Sequence, residues 1–500
     1  MKKLDINNSE DNRPNILFII TDHLRYDALG SSGCKAARTP NLDAMAEQGV
    51  VFENCIANNP MCTASRASIW TGKELPGHGV YQQLDGFPEG ETLFSRHLHD
   101  KGYYTGLFGK LQVSSAPYSD SDLNDEYTMR HPNDGFDEYE LCLSPAQTMH
   151  AKTNAYSNWL KERNPVLREQ LLKDGFMKHV PREFHLTHWA AERTIDFITR
   201  ASKKDQPFFA TMSVFDPHEP YDIVPESYIE RIDPGEIELP VTSPFSKRPR
   251  AHLRSSQDPY TGYVAREKLS DEKKIERRRQ YHATVALIDD EVGRVLEALE
   301  ASGTAKNTLV IFTSDHGDTL DEHQLSNKGA FFYDSVVNVP LLMRLPESFP
   351  ANKRISSMVQ LNDIAPTCLA LAGCDDKYTP SDSRDLLPVI HDKVSSVRDY
   401  AICRYPNSTY TFDPSVGHSY WNPPENGIML RTEEWKVTVY DNDEQGELYH
   451  LTEDPKEVNN LWNSPEHAQI QKRLLDLIDD NGGILKGKTD ITFKSKPLIN

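Results

Sequence analysis

The sequence predicts an α/β fold followed by a smaller antiparallel subdomain, and three features carry that reading. Short, continuously apolar runs recur through the first three-quarters of the chain, as parallel strands buried on both faces require: ILFII (16–20), YTGLFGK (104–110), FFATMSVF (208–215) and LVIFTS (309–314). Helical patterns alternate with them. In YHATVALIDDEVGRVLEALEASG, Val285, Ile288, Val292, Val295, Leu296 and Leu299 recur at three- and four-residue spacing, and Gly303 supplies a stop. Strands alternating with helices imply a sheet covered on both faces. After about residue 375 the chain turns loop-rich (TPSDSRD, YPNSTYTFDPSVGHSYWNPPENG), then alternates in GIMLRT and WKVTVYD and closes on the helical HAQIQKRLLDLIDD. The expected division is therefore a larger α/β domain over 1–375 and a smaller antiparallel α+β subdomain over 376–500.

With 500 residues, 38% hydrophobic and 26% charged, the chain is long enough for one large core and a second, smaller one. Its formal charge of -20 argues against nonspecific nucleic-acid binding, which needs a basic face, so any anionic ligand must be held by a local basic pocket. No apolar run approaches the ~20 residues of a membrane span. The opening MKKLDINNSEDNRPNILFII offers only ILFII, short for a secretory signal, so a cytoplasmic location is expected, and a periplasmic or secreted one if a leader was removed. The seven cysteines are odd in number and contain no CxxC pair, which suggests neither a disulfide framework nor a zinc ribbon.

In open α/β sheets ligands bind beyond the carboxyl ends of the strands. Polar residues collect there in this chain: Thr21, Asp22 and His23 follow ILFII, Lys110 ends YTGLFGK, Asp216, Pro217 and His218 follow FFATMSVF, and Asp315, His316 and Gly317 follow LVIFTS. Asp22, Asp315 and His316 have the makings of a divalent cation site. Taken singly, Asp22 could cap a turn, and Asp315 with His316 could form a surface turn. Cys62, in NPMCTASRASIWTG, stands four positions before Arg66 at a helix start, and reads as a buried thiol, a nucleophile or the precursor of another group.

From RPNILFIITDHLRYDALG through TPNLDAMAEQGVVFENC, CTASRASIWTG, GYYTGLFGK, DPHEPY and TSDHGDTLDEHQLSNKG to LYHLTEDPKEVNNL, the chain resembles the type I, formylglycine-dependent sulfatases of the alkaline-phosphatase-like superfamily. CTASR is similar to that family's signature C-x-(P/A)-S-R. The resemblance implies a large mixed, mostly parallel sheet flanked by helices, and hydrolysis of an O-sulfate ester of a carbohydrate or of a small or aryl alcohol. It implies that Cys62 is oxidised to formylglycine by a sulfatase-maturing enzyme, an oxygen-independent radical enzyme being the reading for Ala64 in the signature. It also implies one divalent metal per chain, Ca²⁺ in the family, held by Asp22, His23, modified Cys62, Asp315 and His316. Arg66 would orient the formylglycine hydrate, Lys110 and Lys328 would bind sulfate oxygens, and His218 would protonate the leaving alcohol. Gln112, His78 and His323 would line the substrate pocket. A hydrated aldehyde suits this chemistry because one hydroxyl attacks sulfur and the other expels sulfate by C–O cleavage, whereas an unmodified Ser or Cys would stay sulfated.

Two positions depart from the family pattern. His23 stands where relatives usually carry Asp or Gln, which adds a nitrogen donor and moves the preference from Ca²⁺ towards Mn²⁺ or Zn²⁺. Gln112 stands where many members have histidine, and it hydrogen-bonds without transferring a proton. Ala64, in place of proline, fits the broader form of the signature and bears only on which enzyme converts Cys62. His185 and His188 have metal-like spacing but open an amphipathic helix without an evident carboxylate partner, so they are expected to be structural. SKRPRAHLR (246–254) and DEKKIERRRQ (271–280) read as a solvated loop and a helix entry, the first able to rim a pocket for a sulfated or phosphorylated substrate. Two other functions fit the motifs: a phosphonate monoester or phosphodiester hydrolase with the same nucleophile, and a non-catalytic protein holding sulfated ligands through Lys110, Lys328 and Arg66 with Cys62 unmodified. Substrate choice is expected to rest on 113–186, 222–270 and 376–426, which match no motif, and a cytoplasmic setting favours a small or depolymerised substrate.

Overall fold

The computed structural model describes residues 13–82, 85–113, 130–131, 133–144, 149, 154–174, 178–244, 248–249, 269–374, 380–407, 412–413, 418–419, 425–441 and 443–487. Among these, β1 (Asn15–Asp22), β2 (Val50–Ile56), β3 (Tyr104–Gly109), β4 (Glu138–Leu141), β5 (Phe208–Pro217), β6 (Thr308–Ser314), β7 (Asn338–Arg344), β8 (Lys353–Ile355) and β9 (Val359–Gln360) form one sheet. Its order is β4-β3-β5-β1-β6-β7-β2-β8, with β9 also paired to β2. Pairing is parallel from β4 to β6, and β7 runs antiparallel to both β6 and β2, so the sheet is mixed and mostly parallel, as expected.

The four apolar runs of the sequence are its central strands, and their unbroken hydrophobicity has a direct cause. In β1, Leu17 and Ile19 enter the core on one face while Ile16, Phe18 and Ile20 enter the core on the other. Two helices, α1 (Pro40–Glu47) and α2 (Cys62–Thr71), follow β1 and precede α3 (Phe94–Asp100), α4 (Leu186–Ala201), α5 (Asp271–Ala301) and α6 (Ile364–Leu371). Helices α4 and α5 supply Trp189, Phe197, Val285 and Val292 to the first core. Trp70 of α2, Phe94 of α3 and Ile364 of α6 fill the second, where Trp70 stacks on Phe94 at 5.1 Å.

Helix α5 starts ten residues before the apolar periodicity, at Asp271, with Ser270 capping it. The segment DEKKIERRRQ is therefore its opening turns, but it is not simply solvated. Arg278 is buried and donates from Nη1 to Leu320 O at 2.9 Å and from Nη2 to Glu322 Oε1 at 3.1 Å. Of SKRPRAHLR only Arg248 and Pro249 lie within the described residues, and Arg248 is buried.

The C-terminal part carries a short pair, β11 (Phe412–Asp413) with β12 (His418–Ser419), and an antiparallel sheet of β10 (Ala401–Pro406), β13 (Asn426–Arg431), β14 (Trp435–Tyr440) and β15 (Glu447–His450). One face packs on α7 (Ala468–Asp480) through Ile428, Val437, Leu474 and Ile478. The other, with Cys403, Tyr405, Met429 and Tyr440, packs on Met61 and on Leu325 and Ala330–Tyr333. The expected boundary at 375 falls on residues outside those described. All seven cysteines are free thiols. Among the described residues no helix is long and apolar enough to cross a membrane.

His282 of α5 is buried with its Nδ1 unpartnered among the described residues, and burial together with Arg278 holds its pKa down at about 3. The unfolded chain therefore binds a proton, near the ordinary pKa of 6.5, that the folded chain refuses, and stability is lost as pH falls from 6.5 towards 3. His282→Gln is expected to flatten this loss. Thermal melting of both proteins between about pH 7 and 4 checks it, and parallel curves would exclude His282 as the source.

Candidate active site

The polar residues that follow β1, β3, β5 and β6 meet at one edge of the sheet, opposite the start of α2. A register shift between Ile20 and Asp22 ends the regular pairing of β1 with β5 where the site begins. Two glycines allow the close approaches required. A Cβ at Gly109 (φ +119) would lie 1.7 Å from Ser213 O, and one at Gly317 would lie 2.1 Å from Ser335 O.

At the centre stand Asp22, His23, Cys62 and His316, all buried, with one donor atom of each within 4.8 Å of the others. Cys62 Sγ lies 3.2 Å from His316 Nε2 and 3.5 Å from Asp22 Oδ1. The imidazoles are oriented from behind. His316 donates through Nδ1 to Gly317 O at 2.9 Å, and His23 through Nδ1 to Asp318 Oδ2 at 2.9 Å, which leaves both Nε2 atoms facing the cluster. Asp318 is itself fixed by Tyr221 Oη at 2.7 Å and Leu320 N at 2.8 Å. His23 adopts φ +69, a conformation that turns its ring back into the site.

Cations surround this group. Lys110 Nζ bonds Asp22 Oδ2, while Lys328 Nζ lies between His23 Nε2 and His218 Nε2, 2.9 Å from the latter. Arg66, fully buried, donates from Nε to Asp315 Oδ2 at 2.7 Å and from Nη1 to Lys110 O at 2.9 Å and Ser213 Oγ at 3.0 Å. Its guanidinium is thus occupied by the ends of the strands and by Asp315. Asp315 is not among the four mutually close donors. Its Oδ2 serves Arg66 and its Oδ1 accepts from His316 N at 2.9 Å, 3.7 Å from His316 Nε2.

Protonation follows from these neighbours. Burial pushes Asp22 up, but Lys110, His218, His23 and Lys328 outweigh it and hold the carboxyl well below its usual range. Burial and Asp22 push the Cys62 thiol up, yet Lys110, Lys328 and His316 bring it below its ordinary value. Burial, His218 and Lys328 keep His23 neutral, and burial and Lys328 do the same for His218. Burial lowers His316, but Asp315 and Cys62 outweigh it and raise its pKa, so its imidazole would release a proton to bind an ion. With neutral His23, the Asp22 carboxylate and an acidic residue at 62 it makes a donor set a divalent ion takes, and two lysines already pair with Asp22 and His23 where positive charge is wanted. The residues present fit a metal.

The remaining candidates separate. Gln112 (φ +46) is buried beyond Lys110 with Oε1 unpartnered among the described residues. His78 engages Ser68 Oγ at 2.9 Å and Val80 N at 3.1 Å, packing α2 rather than meeting the four donors. His323 stacks on Tyr333 at 3.8 Å and lines a cavity of about 230 Å³ with Arg25, Glu322, Asp334 and Glu457. Strand β5 runs two residues beyond FFATMSVF, through Pro217, which pairs with Asp22, and His218 stands directly at its end. His185 and His188 do have carboxylate partners, contrary to expectation. His185 Nδ1 lies 3.5 Å from Asp216 Oδ2, and His188 Nδ1 lies 3.0 Å from Glu291 Oε1; both partners are distant in sequence. Asp318 and Tyr221 were not foreseen as site residues; the only local sign was a second aspartate three positions after Asp315.

A family model described as sulfatase matches residues 14–374, and one described as N-sulphoglucosamine sulphohydrolase, C-terminal, matches 321–481. An arylsulfatase of Clostridium perfringens (strain 13 / Type A) is 28% identical over 509 residues, covering 96% of this chain and 99% of its own. Two solved structures share the fold. The phosphonate monoester hydrolase of Agrobacterium radiobacter aligns with a TM-score of 0.74 at 22% identity, over 95% of this chain and 100% of that one. A protein in complex with its substrate D-glucosamine-2-N,6-O-disulfate aligns with a TM-score of 0.70 at 23% identity, over 94% and 97%.

Arg66→Ala is expected to destabilise the fold by about 3–5 kcal/mol, because it leaves Asp315 charged, buried and unpaired; urea unfolding measures this. Asp318→Ala frees the His23 ring and is expected to weaken Mn²⁺ binding by roughly 10–100-fold in a calorimetric titration, and unchanged affinity would remove Asp318 from the site.

Proposed function

Because the chain belongs to the sulfatase family and so hydrolyses sulfuric esters, we propose that its nucleophile is a formylglycine hydrate made from Cys62 and its substrate the O-sulfate ester of a sugar or small alcohol. The observation that carries this reading is the place of Cys62: the first residue of α2, in CTASR, with its Sγ inside the group of Asp22, His23 and His316 and close to two lysines.

Asp22, His23, His316 and the converted residue 62 would hold one divalent ion, with Asp315 beside them. Bound there, such an ion polarises a sulfate oxygen and makes a hydroxyl at residue 62 more acidic. Two imidazoles among the donors favour Mn²⁺ or Zn²⁺ over Ca²⁺. The chain's own groups do the rest. Lys110 and Lys328 bind sulfate oxygens and offset charge on the bridging oxygen as one hydroxyl of residue 62, its proton first given up to solvent, forms the new O–S bond and the ester S–O bond breaks. The leaving oxygen takes its proton from the His218–Lys328 pair, in which the proton rests on Lys328 because burial and Lys328 keep His218 neutral. The second hydroxyl of residue 62 then returns a proton to the His218–Lys328 pair and forms the carbonyl as the C–O bond to sulfate breaks. Water restores the hydrate. Gln112, with its free Oε1, is placed to hydrogen-bond a substrate hydroxyl near Lys110.

A sugar sulfate is supported by the disulfated glucosamine held by a structural relative. Conversion of Cys62 requires a maturing enzyme in the host.

Peptide mass spectrometry across residues 59–73, on protein made in the native host or beside a maturase, is expected to find formylglycine at 62; an intact cysteine would overturn the nucleophile. Cys62→Ala is expected to abolish turnover and keep the melting temperature, since it truncates one small side chain beside a pocket. On converted protein, sulfate esters are expected to turn over faster than matched phosphonate monoesters, and the reverse order would assign the site to phosphonates.

A further inference from the structure

Lys328 lies on a buried stretch between β6 and β7, and its two ends are anchored differently. Upstream, Asn327 O accepts from Thr319 N at 2.9 Å, and Asn327 Nδ2 donates to Glu219 Oε1 at 2.6 Å, beside His218. Downstream, the stretch is held by the C-terminal sheet. Lys436 of β14, 1% exposed, projects from the face that meets Phe331, Phe332 and Tyr333. Its Nζ donates to Phe332 O at 2.9 Å and Glu457 Oε1 at 2.6 Å, and also pairs with Asp334. Glu457 Oε2 accepts from Asp334 N at 2.6 Å, and Arg431 Nη2 lies 2.9 Å from Asp334 Oδ2. A carbonyl, an amide and a carboxylate of residues 332–334 are thus clamped by three charged side chains of the smaller sheet and the segment after it.

Burying such a cluster is costly, and apolar packing alone would hold the segment as firmly. What the charges add is direction: a carbonyl and an amide can be satisfied only if residues 332–334 stand at one height against β14. Three residues separate Phe332 from Lys328, too few for the ammonium to keep its place between His23 and His218 if the clamp shifts by an ångström.

We propose that Lys436 is a positioning residue for sulfate-ester hydrolysis, holding the segment after Lys328 so that its ammonium reaches the sulfate group. The smaller sheet is then a working part of the active site. This rests on the role given to Lys328 above, and the test separates the two.

The test uses full-length protein whose conversion at residue 62 has been verified, with inorganic sulfate as the calorimetric probe beside steady-state turnover of a sulfate ester. Lys436→Met is expected to lower kcat/KM by roughly 10–100-fold and to weaken sulfate binding in the same direction as Lys328→Ala. The double variant is expected to be no worse than Lys328→Ala alone, within about twofold, since the clamp acts only through Lys328. Lys436→Arg, which keeps the charge, is expected to recover most of the loss. If Lys436→Met does not fold, Glu457→Gln takes its place in the same cycle. Losses that multiply in the double variant, or unchanged turnover and sulfate affinity in Lys436→Met, would overturn the positioning role alone. Unchanged sulfate affinity and turnover in Lys328→Ala would overturn the role of Lys328 and the proposal with it.

Discussion

The site depends first on one buried guanidinium. Arg66 is sealed from solvent, and a charge in that position is tolerable only if its N–H groups all find acceptors. Those acceptors come from four separate strands: Lys110 O after β3, Ser213 Oγ within β5, Asp315 after β6, and Thr21 O near the end of β1 at 3.5 Å. Satisfying the fork therefore ties four strands together at one point. A lysine could not do this, because its donors diverge from a single atom instead of spreading in a plane. Cys62 lies one turn earlier on the same helix, so the interaction that draws the strands together also fixes the residue proposed as nucleophile against Asp22 and His316.

The second constraint is electrostatic. A chain with a formal charge of -20 repels anions at long range, so capture of a sulfate ester has to be local. Lys110, Lys328 and Arg66 stand against Asp22 and Asp315 within the buried cluster, and His23 and His218 stay neutral there. The low dielectric that makes these charges expensive to assemble also makes each worth more to an incoming anion. Neutrality of His23 matters twice, since a protonated ring could neither bind a metal nor sit beside Lys328.

Much of this was legible in the sequence because the informative residues sit where a strand stops. The four apolar runs are doubly buried strands, and Asp22, Lys110, His218, Asp315 and His316 follow them, so a period-free hydrophobic stretch ending in a charged residue was signal enough. What remained hidden depends on contacts across long separations. Asp318 reaches back 295 positions to orient His23, and no local pattern marks that bond. Arg278 read as a solvated helix entry because α5 extends beyond its apolar stripe, and only the fold shows that its buried end faces Leu320 and Glu322. His185 and His188 found carboxylates in β5 and α5 for the same reason.

The loop between His316 and Lys328 ties so distant a residue as Arg278 to the geometry of the candidate site. Leu320, Asp321, His323, Gln324 and Asn327 all have positive φ, a conformation that costs a residue other than glycine on the order of 1–3 kcal/mol. Five such residues in eight positions persist only if the surroundings over-determine the path. Glu322 supplies the knot: its Oε1 accepts from Arg278 at 3.1 Å and Arg25 at 3.3 Å, and its Oε2 accepts from Val241 N at 2.5 Å. Arg25 and Arg278 also hold the carbonyls of Thr319 and Leu320. The strain buys an abrupt path that carries the chain from Asp318, which orients His23, to Lys328, which lies against the same ring, within ten residues. One imidazole is thereby gripped at both nitrogens by a single loop, and the arginines of α5 and of the turn after β1 keep that loop from relaxing.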